Sequence, residues 1–344
     1  MKKKINELIE HDTSLVILFA FFIGICVVML ISFGTDMFNS STLASIGFQM
    51  SEILVLALGM SLCMLLGGID LSIVATANLA SFFAASILSG RFFDVESVGT
   101  VPTIALAVVV SMSVGLVCGL INGVIISRAS VPPIVATLST MTLYSGLTMG
   151  LSGGKAVGGY PNLFLKFGSG RFCGVPYVFI VAMLVFIILV MSLDRTKLGR
   201  EIHYIGENHT ASRFAGIHNE AVLMKVYSLS GLMAGIAALM IMARSNSARS
   251  GYGDTYQLQT IMVAVLGGIS PSGGKGRLYG VLLATFCLQI MQTAFTLWEF
   301  SPYSKKLIWG AMLLIVMLLN MWQAWASQRA KIKKMSSQPK AEKA

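Results

Sequence analysis

Apolar residues arrive in long unbroken blocks, with almost no stretch alternating between apolar and polar. Ten blocks lie at about 14–33, 44–67, 72–90, 102–127, 131–151, 175–193, 221–243, 255–268, 278–297 and 304–325. About 20 apolar residues in a helix cross a hydrocarbon layer of about 30 Å. Backbone groups in lipid must pair internally, so spanning segments are helices or closed barrels. Barrel strands need a two-residue alternation that is absent here. The pattern predicts an all-α polytopic membrane protein with about ten transmembrane helices. The eighth block is short, and only the Gly-Gly-Ile-Asp stretch at 67–70 separates the second from the third. Broken or re-entrant segments are therefore expected near 67–72 and 267–277, and eight or nine full spans plus re-entrant pieces fit equally well. Residues 1–325 read as one transmembrane domain, and 326–344 as a basic, disordered cytoplasmic tail.

Composition agrees: 55% of the 344 residues are hydrophobic and 12% charged. The formal net charge of +10 would suit nucleic acid, but the cations lie between and beyond the apolar blocks, where membrane topology accounts for them. With the N-terminus inside and sides alternating, 17 Lys and Arg fall inside and 8 outside. This sets both termini in the cytoplasm. The first block is too long for a signal-peptide core and lacks a small-x-small cleavage site, so it reads as an uncleaved span. Cys26, Cys63, Cys118, Cys173 and Cys287 show no CxxC or Cys/His spacing, and no metal site or disulfide follows from them.

Several polar residues interrupt the blocks. Asp70, at the Gly-Gly break, reads foremost as a cap and loop-fixing group for a helix starting near Leu71. Glu52 either faces a cavity or lies near the interface, since ionisable groups at membrane depth are costly. No cationic counterpart to either stands clearly at depth. Gln49, Asn78, Asn122, Thr137, Thr140, Tyr144, Gln289 and Gln292 offer the donors and acceptors that a hydroxyl-rich solute needs, though interhelical bonding needs them as well. Glu52, Asp70, Asn78, Asn122 and Tyr144 are the candidates for a translocation path. Gly115, Gly119 and Gly123, Gly146 with Gly150, and Gly231 with Gly235 stand four apart, a spacing read chiefly as close helix packing. The segment Leu66–Asp70 (LGGID) returns as Leu266–Ser270 (LGGIS), a weak sign of internal duplication around broken helices.

The segment 194–220 is a charged island on the inside, with eight formal charges and three of the four histidines. Asn208 can cap a short helix from His209 to Ala215, and Gly216 suits the left-handed position that ends it. Such a helix fits a groove on a soluble partner, although a solvated loop fits the composition too. All four histidines lie outside the blocks, which speaks against an intramembrane enzyme. The stretch GISPSGGK at 268–275 misses the phosphate-loop register, because Gly274 stands in the lysine place.

Five segments carry a resemblance: GMSLCMLLGGIDLS (59–72), GLINGVIISRASVPPIVATLSTMTLYSGL (119–147), GREIHYIGENHTASRFAGI (199–217), KVYSLSGLMAGIAALMIMAR (225–244) and VAVLGGISPSGGKGRLYGVLLATF (263–286). In this order they resemble the permease subunits of bacterial ABC importers for monosaccharides of the ribose, xylose and galactose type. The resemblance covers about residues 45–320. It departs at Ile73-Val74-Ala75 and in the stretch GGISPSGGKG, and these departures bear on the solute. The resemblance implies a translocation subunit without catalysis, in the bacterial inner membrane. It binds no cofactor, because ATP and magnesium belong to a partner ATPase. The implied partners are a second permease (copy or paralogue), a cytoplasmic ABC ATPase, an extracytoplasmic solute-binding protein and membrane lipid, with no nucleic acid. The implied ATPase-coupling residues are Glu207, Asn208, Ala211, Ser212, Arg213, Phe214 and Gly216. Relatives in the wider family carry nucleosides, autoinducer sugars or branched-chain amino acids. An ion-coupled secondary transporter is the alternative from a different class.

Overall fold

The computed structural model describes residues 13–34, 39–92 and 95–336. The N-terminal Lys2–Lys4 cluster and the end of the expected tail lie outside the described residues. Each expected apolar block coincides with a helix: α1 (Thr13–Phe33), α2 (Ser40–Leu65), α3 (Ile73–Leu88), α4 (Thr100–Arg128) and α5 (Pro133–Ser152) come first. A short α6 (Asn162–Ser169) precedes α7 (Tyr177–Arg195), and α8 (Lys197–Glu207) and α9 (His209–Phe214) follow in the charged island. Then come α10 (Asn219–Ser245), α11 (Asp254–Leu266), α12 (Leu278–Leu297) and α13 (Pro302–Ser336).

Six helices among the described residues are long and apolar enough to cross a membrane: α2, α4, α5, α7, α10 and α12. The apolar α3 has 16 residues and α11 has 13, because each is bounded by one of the glycine breaks. The chain divides into two compact units, one ending at Glu299 and one beginning at Phe300, so the first ends earlier than residue 325. In the second unit α13 continues to Ser336, so the first residues of the expected tail are helical.

Within the first unit, α2 and α10 form the centre. From Met50 to Leu65 every α2 side chain is buried. It packs against α10, α11, α12 and α7, and α10 packs against α4 and α3. The α4–α10 crossing shows why the glycines recur at four-residue spacing. A Cβ on Gly115 or Gly119 would strike the backbone of Gly231 or Tyr227, and one on Gly235 that of Ser111. Small residues here let two backbones touch, which is where packing energy in lipid comes from. Gly146 and Gly150 differ: nothing lies within 4 Å of where their Cβ atoms would stand. Their spacing serves no packing within the described residues.

Contacts sort the connections into two ends. At one end the α2–α3 break, the α4–α5 turn, the charged island and the α11–α12 break line a common opening or touch one another. At the other end β1 (Val157–Gly158) pairs antiparallel with β4 (Ser247–Ala248), and β2 (Arg171–Phe172) forms a hairpin with β3 (Val175–Pro176). Tyr160 beside β1 donates its hydroxyl to the Val157 carbonyl at 2.7 Å, and burial pushes its phenol pKa up. The grouping is the one the alternating-side reading required.

Candidate functional site

Two helix breaks and the charged island meet at one point. Helix α2 stops because Gly67 adopts φ +81°. The Gly67 amide then donates to Met64 O at 2.9 Å and the Gly68 amide to Cys63 O at 3.1 Å. Helix α11 stops by the same pair of bonds: Gly268 (φ +85°) donates to Val265 O at 3.0 Å and Ile269 to Ala264 O at 3.0 Å. Both are left-handed glycine caps that satisfy otherwise orphaned carbonyls. The repeated letters thus encode a repeated structural event, but not in register. The left-handed glycine is the second letter of LGGID and the third of LGGIS.

The two breaks bond directly to each other and to the island. The Gly274 amide donates to Leu65 O at 2.8 Å. Gly274 O accepts from His203 Nδ1 at 3.0 Å, and Leu66 O accepts from His209 Nε2 at 3.3 Å. Gly206 of α8 is wedged between Leu65 O and Gly274 N, so that a Cβ there would collide with both. Neither histidine was singled out in the sequence. Their only signal was membership of a charged island at the end of a helix.

The short helix forms as its residues dictate. Asn208 Oδ1 accepts from the Thr210 and Ala211 amides, both at 2.9 Å, and caps α9. Gly216 (φ +80°) ends it, with Ile217 N donating to Ser212 O at 3.1 Å. Ser212 is buried, with Oγ near His209 O (3.0 Å) and Asn219 Oδ1 (3.1 Å), whereas Glu207, Asn208, Ala211, Arg213 and Gly216 are exposed. Phe214 is 89% exposed. A cavity of about 1180 Å³ opens beside α9, lined by Gly68, Pro133, His209, Arg213, Phe214 and Tyr227 among others.

Three of the five path candidates are consumed in buried bonding. Asp70 Oδ1 accepts from the Ser72 amide (3.0 Å) and Ser72 Oγ (2.7 Å), while Oδ2 accepts from Ser230 Oγ of α10 (2.8 Å). Asn122 Nδ2 of α4 donates to Ser72 Oγ (2.7 Å), and Thr140 Oγ1 of α5 donates to Asn122 Oδ1 (2.7 Å). Asp70 therefore fixes the loop, as its sequence suggested. The helix it precedes begins at Ile73 and not near Leu71, and its N-cap residue is Ser72. Tyr144 donates to Cys118 O at 3.1 Å. Asn78 is buried on α3.

Glu52 stands apart. It is 1% exposed and lies midway along α2. Arg244 of α10 grips it with both Nε (2.5 Å) and Nη2 (2.9 Å), and the Tyr256 hydroxyl donates to Glu52 Oε2 at 3.0 Å. This corrects the expectation that no cation sits at depth. Arg244 falls at the end of its apolar block in the sequence, and the packing of α10 against α2 sets its guanidinium on Glu52. The expected path residues thus form two groups, one about Asp70 and one about Glu52. No cluster of three or more metal-binding side chains occurs among the described residues.

Broken helices, buried polar networks and a capped helix at one end define a helical membrane transport subunit. A family model described as "Branched-chain amino acid transport system / permease component" matches residues 42–317, and the chain belongs to this family. It is 34% identical over 289 residues to the ribose import permease protein RbsC of Escherichia coli (strain K12), covering 83% of this chain and 87% of that protein. RbsC of Bacillus subtilis (strain 168) is 33% identical over 268 residues, 77% of this chain and 80% of the relative. The autoinducer 2 import system permease protein LsrD of Yersinia enterocolitica is 30% identical over 270 residues, 77% and 78%. No solved structure matches the chain.

Proposed function

We propose that this chain is the membrane-spanning permease subunit of an ATP-driven importer for a monosaccharide or a related small polar solute, seated in a bacterial inner membrane. The chain crosses about ten times, counting α1, α3, α11 and α13, and both termini lie in the cytoplasm. The subunit catalyses nothing itself and holds no cofactor. A partner ATPase carries ATP and magnesium, a second permease completes the path, and an extracytoplasmic binding protein delivers the solute. The ribose and autoinducer 2 permeases among its relatives support the solute class, and the family match disfavours an ion-coupled transporter.

One observation carries the mechanism: the island bonds to both helix breaks at once through His203 and His209 and packs tightly on both through Gly206. Helix α9 is the coupling helix, with Ala211, Arg213 and Phe214 presented to the ATPase and Asn208, Ser212 and Gly216 shaping it. Nucleotide binding closes the ATPase and displaces α9. Because Gly206 has no slack against Leu65 and Gly274, both helix breaks must follow. A ligand shifts a conformational equilibrium only through contacts that differ between states, and this junction is where such a difference enters.

The test is reconstitution with the ATPase and the binding protein. Sugar uptake should require ATP hydrolysis and survive a collapsed proton gradient at constant ATP. Uptake that follows the proton gradient would refute the reading. Arg213→Glu and Ala211→Glu should leave membrane insertion intact and loosen the ATPase. Unchanged copurification of both variants would remove α9 from the coupling role.

A further inference from the structure

The Asp70 network is closed, with each carboxylate oxygen filled. The Glu52 group is not closed. Gln49 lies one turn before Glu52 on α2, and Gln289 Nε2 of α12 donates to Gln49 Oε1 at 3.1 Å. Gln289 Oε1 is buried and accepts nothing. Gln259 lies one turn beyond Tyr256 on α11, and its Oε1 is likewise buried without a partner. Both glutamines are more than nine-tenths buried. Arg244 spends Nε and Nη2 on Glu52, Nη2 also reaches the Tyr256 hydroxyl at 3.4 Å, and Nη1 of its 31% exposed side chain donates to no group among the described residues.

An orphaned buried carbonyl costs about 1–3 kcal/mol, and these two lie on α11 and α12, which pack against each other and against α2, so they call for a reason. Chemistry and position supply one. Glu52 is halfway along α2, and α11 is a half-length helix that begins beside it. Discontinuous helices meeting near the middle of the membrane are the usual setting of transport sites. The free capacity combines donors on Arg244 with acceptors on Gln289 and Gln259. Each hydroxyl of a sugar both donates and accepts, so this mixture fits a polyol. The Glu52–Arg244 pair sums to zero charge, so the group carries no net charge to draw in an ion.

We infer that Arg244, Gln289 and Gln259, held in place by Glu52, Tyr256 and Gln49, form a hydroxyl-recognition site for a neutral polyhydroxylated solute in transit. This rests on the importer reading above. In the described conformation the site is shut, and its amide oxygens lack the partners that the passing solute brings.

The test uses the whole importer in proteoliposomes with D-ribose, D-xylose and D-galactose as probes. Gln289→Met keeps length and removes the amide. Sugar moved per ATP hydrolysed should fall at least about fivefold, with a melting temperature close to that of the wild type, because the unpaired buried carbonyl goes together with the Nε2 bond to Gln49. Gln259→Met should do the same and stands in if the first variant is not produced. Wild-type uptake per ATP in both variants would overturn the site and leave the amides as packing groups. A fall in uptake that merely tracks a lower melting temperature in both would overturn it too. Failure of the wild-type assembly to move any of the three sugars would sink the importer reading itself, and this proposal with it.

Discussion

The two glycine breaks share four of five letters and one capping geometry, yet they are wired in opposite ways. The first, after α2, is anchored by side chains: Asp70 gathers Ser72 and Ser230, and Asn122 and Thr140 extend the net across α4 and α5. The second, after α11, has Ser270 in the place of Asp70; the Ser270 hydroxyl accepts from the Ser272 amide at 3.3 Å, and the rest of the loop is held mostly by backbone. Ser270 N donates to Lys275 O at 2.9 Å, and Gly273, Gly274 and Gly276 all take positive φ. One break is thus a fixed post. The other is a loop that meets that post, among the described residues, through the Gly274–Leu65 bond and the close approach of Ser272 and Gly273 to Gly67. A transporter needs such a pair, because motion requires one part that yields against another that does not.

Gly206 tests both breaks at once, so its substitution should have the largest effect. Gly206→Val places side-chain atoms against Leu65 O and Gly274 N. Uptake should fall at least tenfold while the ATPase still copurifies through α9; wild-type uptake would show that the junction is slack. Asp70→Ala comes next. It strands the Ser72 and Ser230 hydroxyls in a buried site and should cost about 3 kcal/mol, read as a lower melting temperature. Ser270→Ala, the matching change in the other break, should cost less than about 0.5 kcal/mol. Equal shifts for the two would erase the contrast. Gly67→Ala and Gly268→Ala each force a left-handed alanine at about 1–2 kcal/mol, and the sharper loss of transport is expected at Gly67, where a Cβ also meets Ser272 O. His203→Ala and His209→Ala should cost about 1 kcal/mol each, visible as fewer sugars moved per ATP and not as lost protein.

Much of this was legible in the letters. Apolar block length fixes the helices, and glycine at four-residue spacing marks the α4–α10 crossing, because only a missing side chain lets backbones touch. Asn208 and Gly216 announce α9, since capping is a local matter of three or four residues. What escaped depends on distance in the chain. Arg244 and Glu52 are separated by 192 residues, and nothing local in either says that the last turn of α10 reaches the middle of α2. His203 and His209 look like ordinary charged-loop residues until the two breaks are brought under them. The glycines at 146 and 150 show the converse: the same spacing as the crossing, with no neighbour in the described chain.

The one-residue offset between the two left-handed glycines sets a rule for anyone building hybrids of the halves. A helix turns once every 3.6 residues, so splicing at identical letters would rotate all that follows by about 100°. A cut staggered by one position would keep each face toward its old companions. The alphabet and the geometry disagree by a single step, and a chimera must obey the geometry.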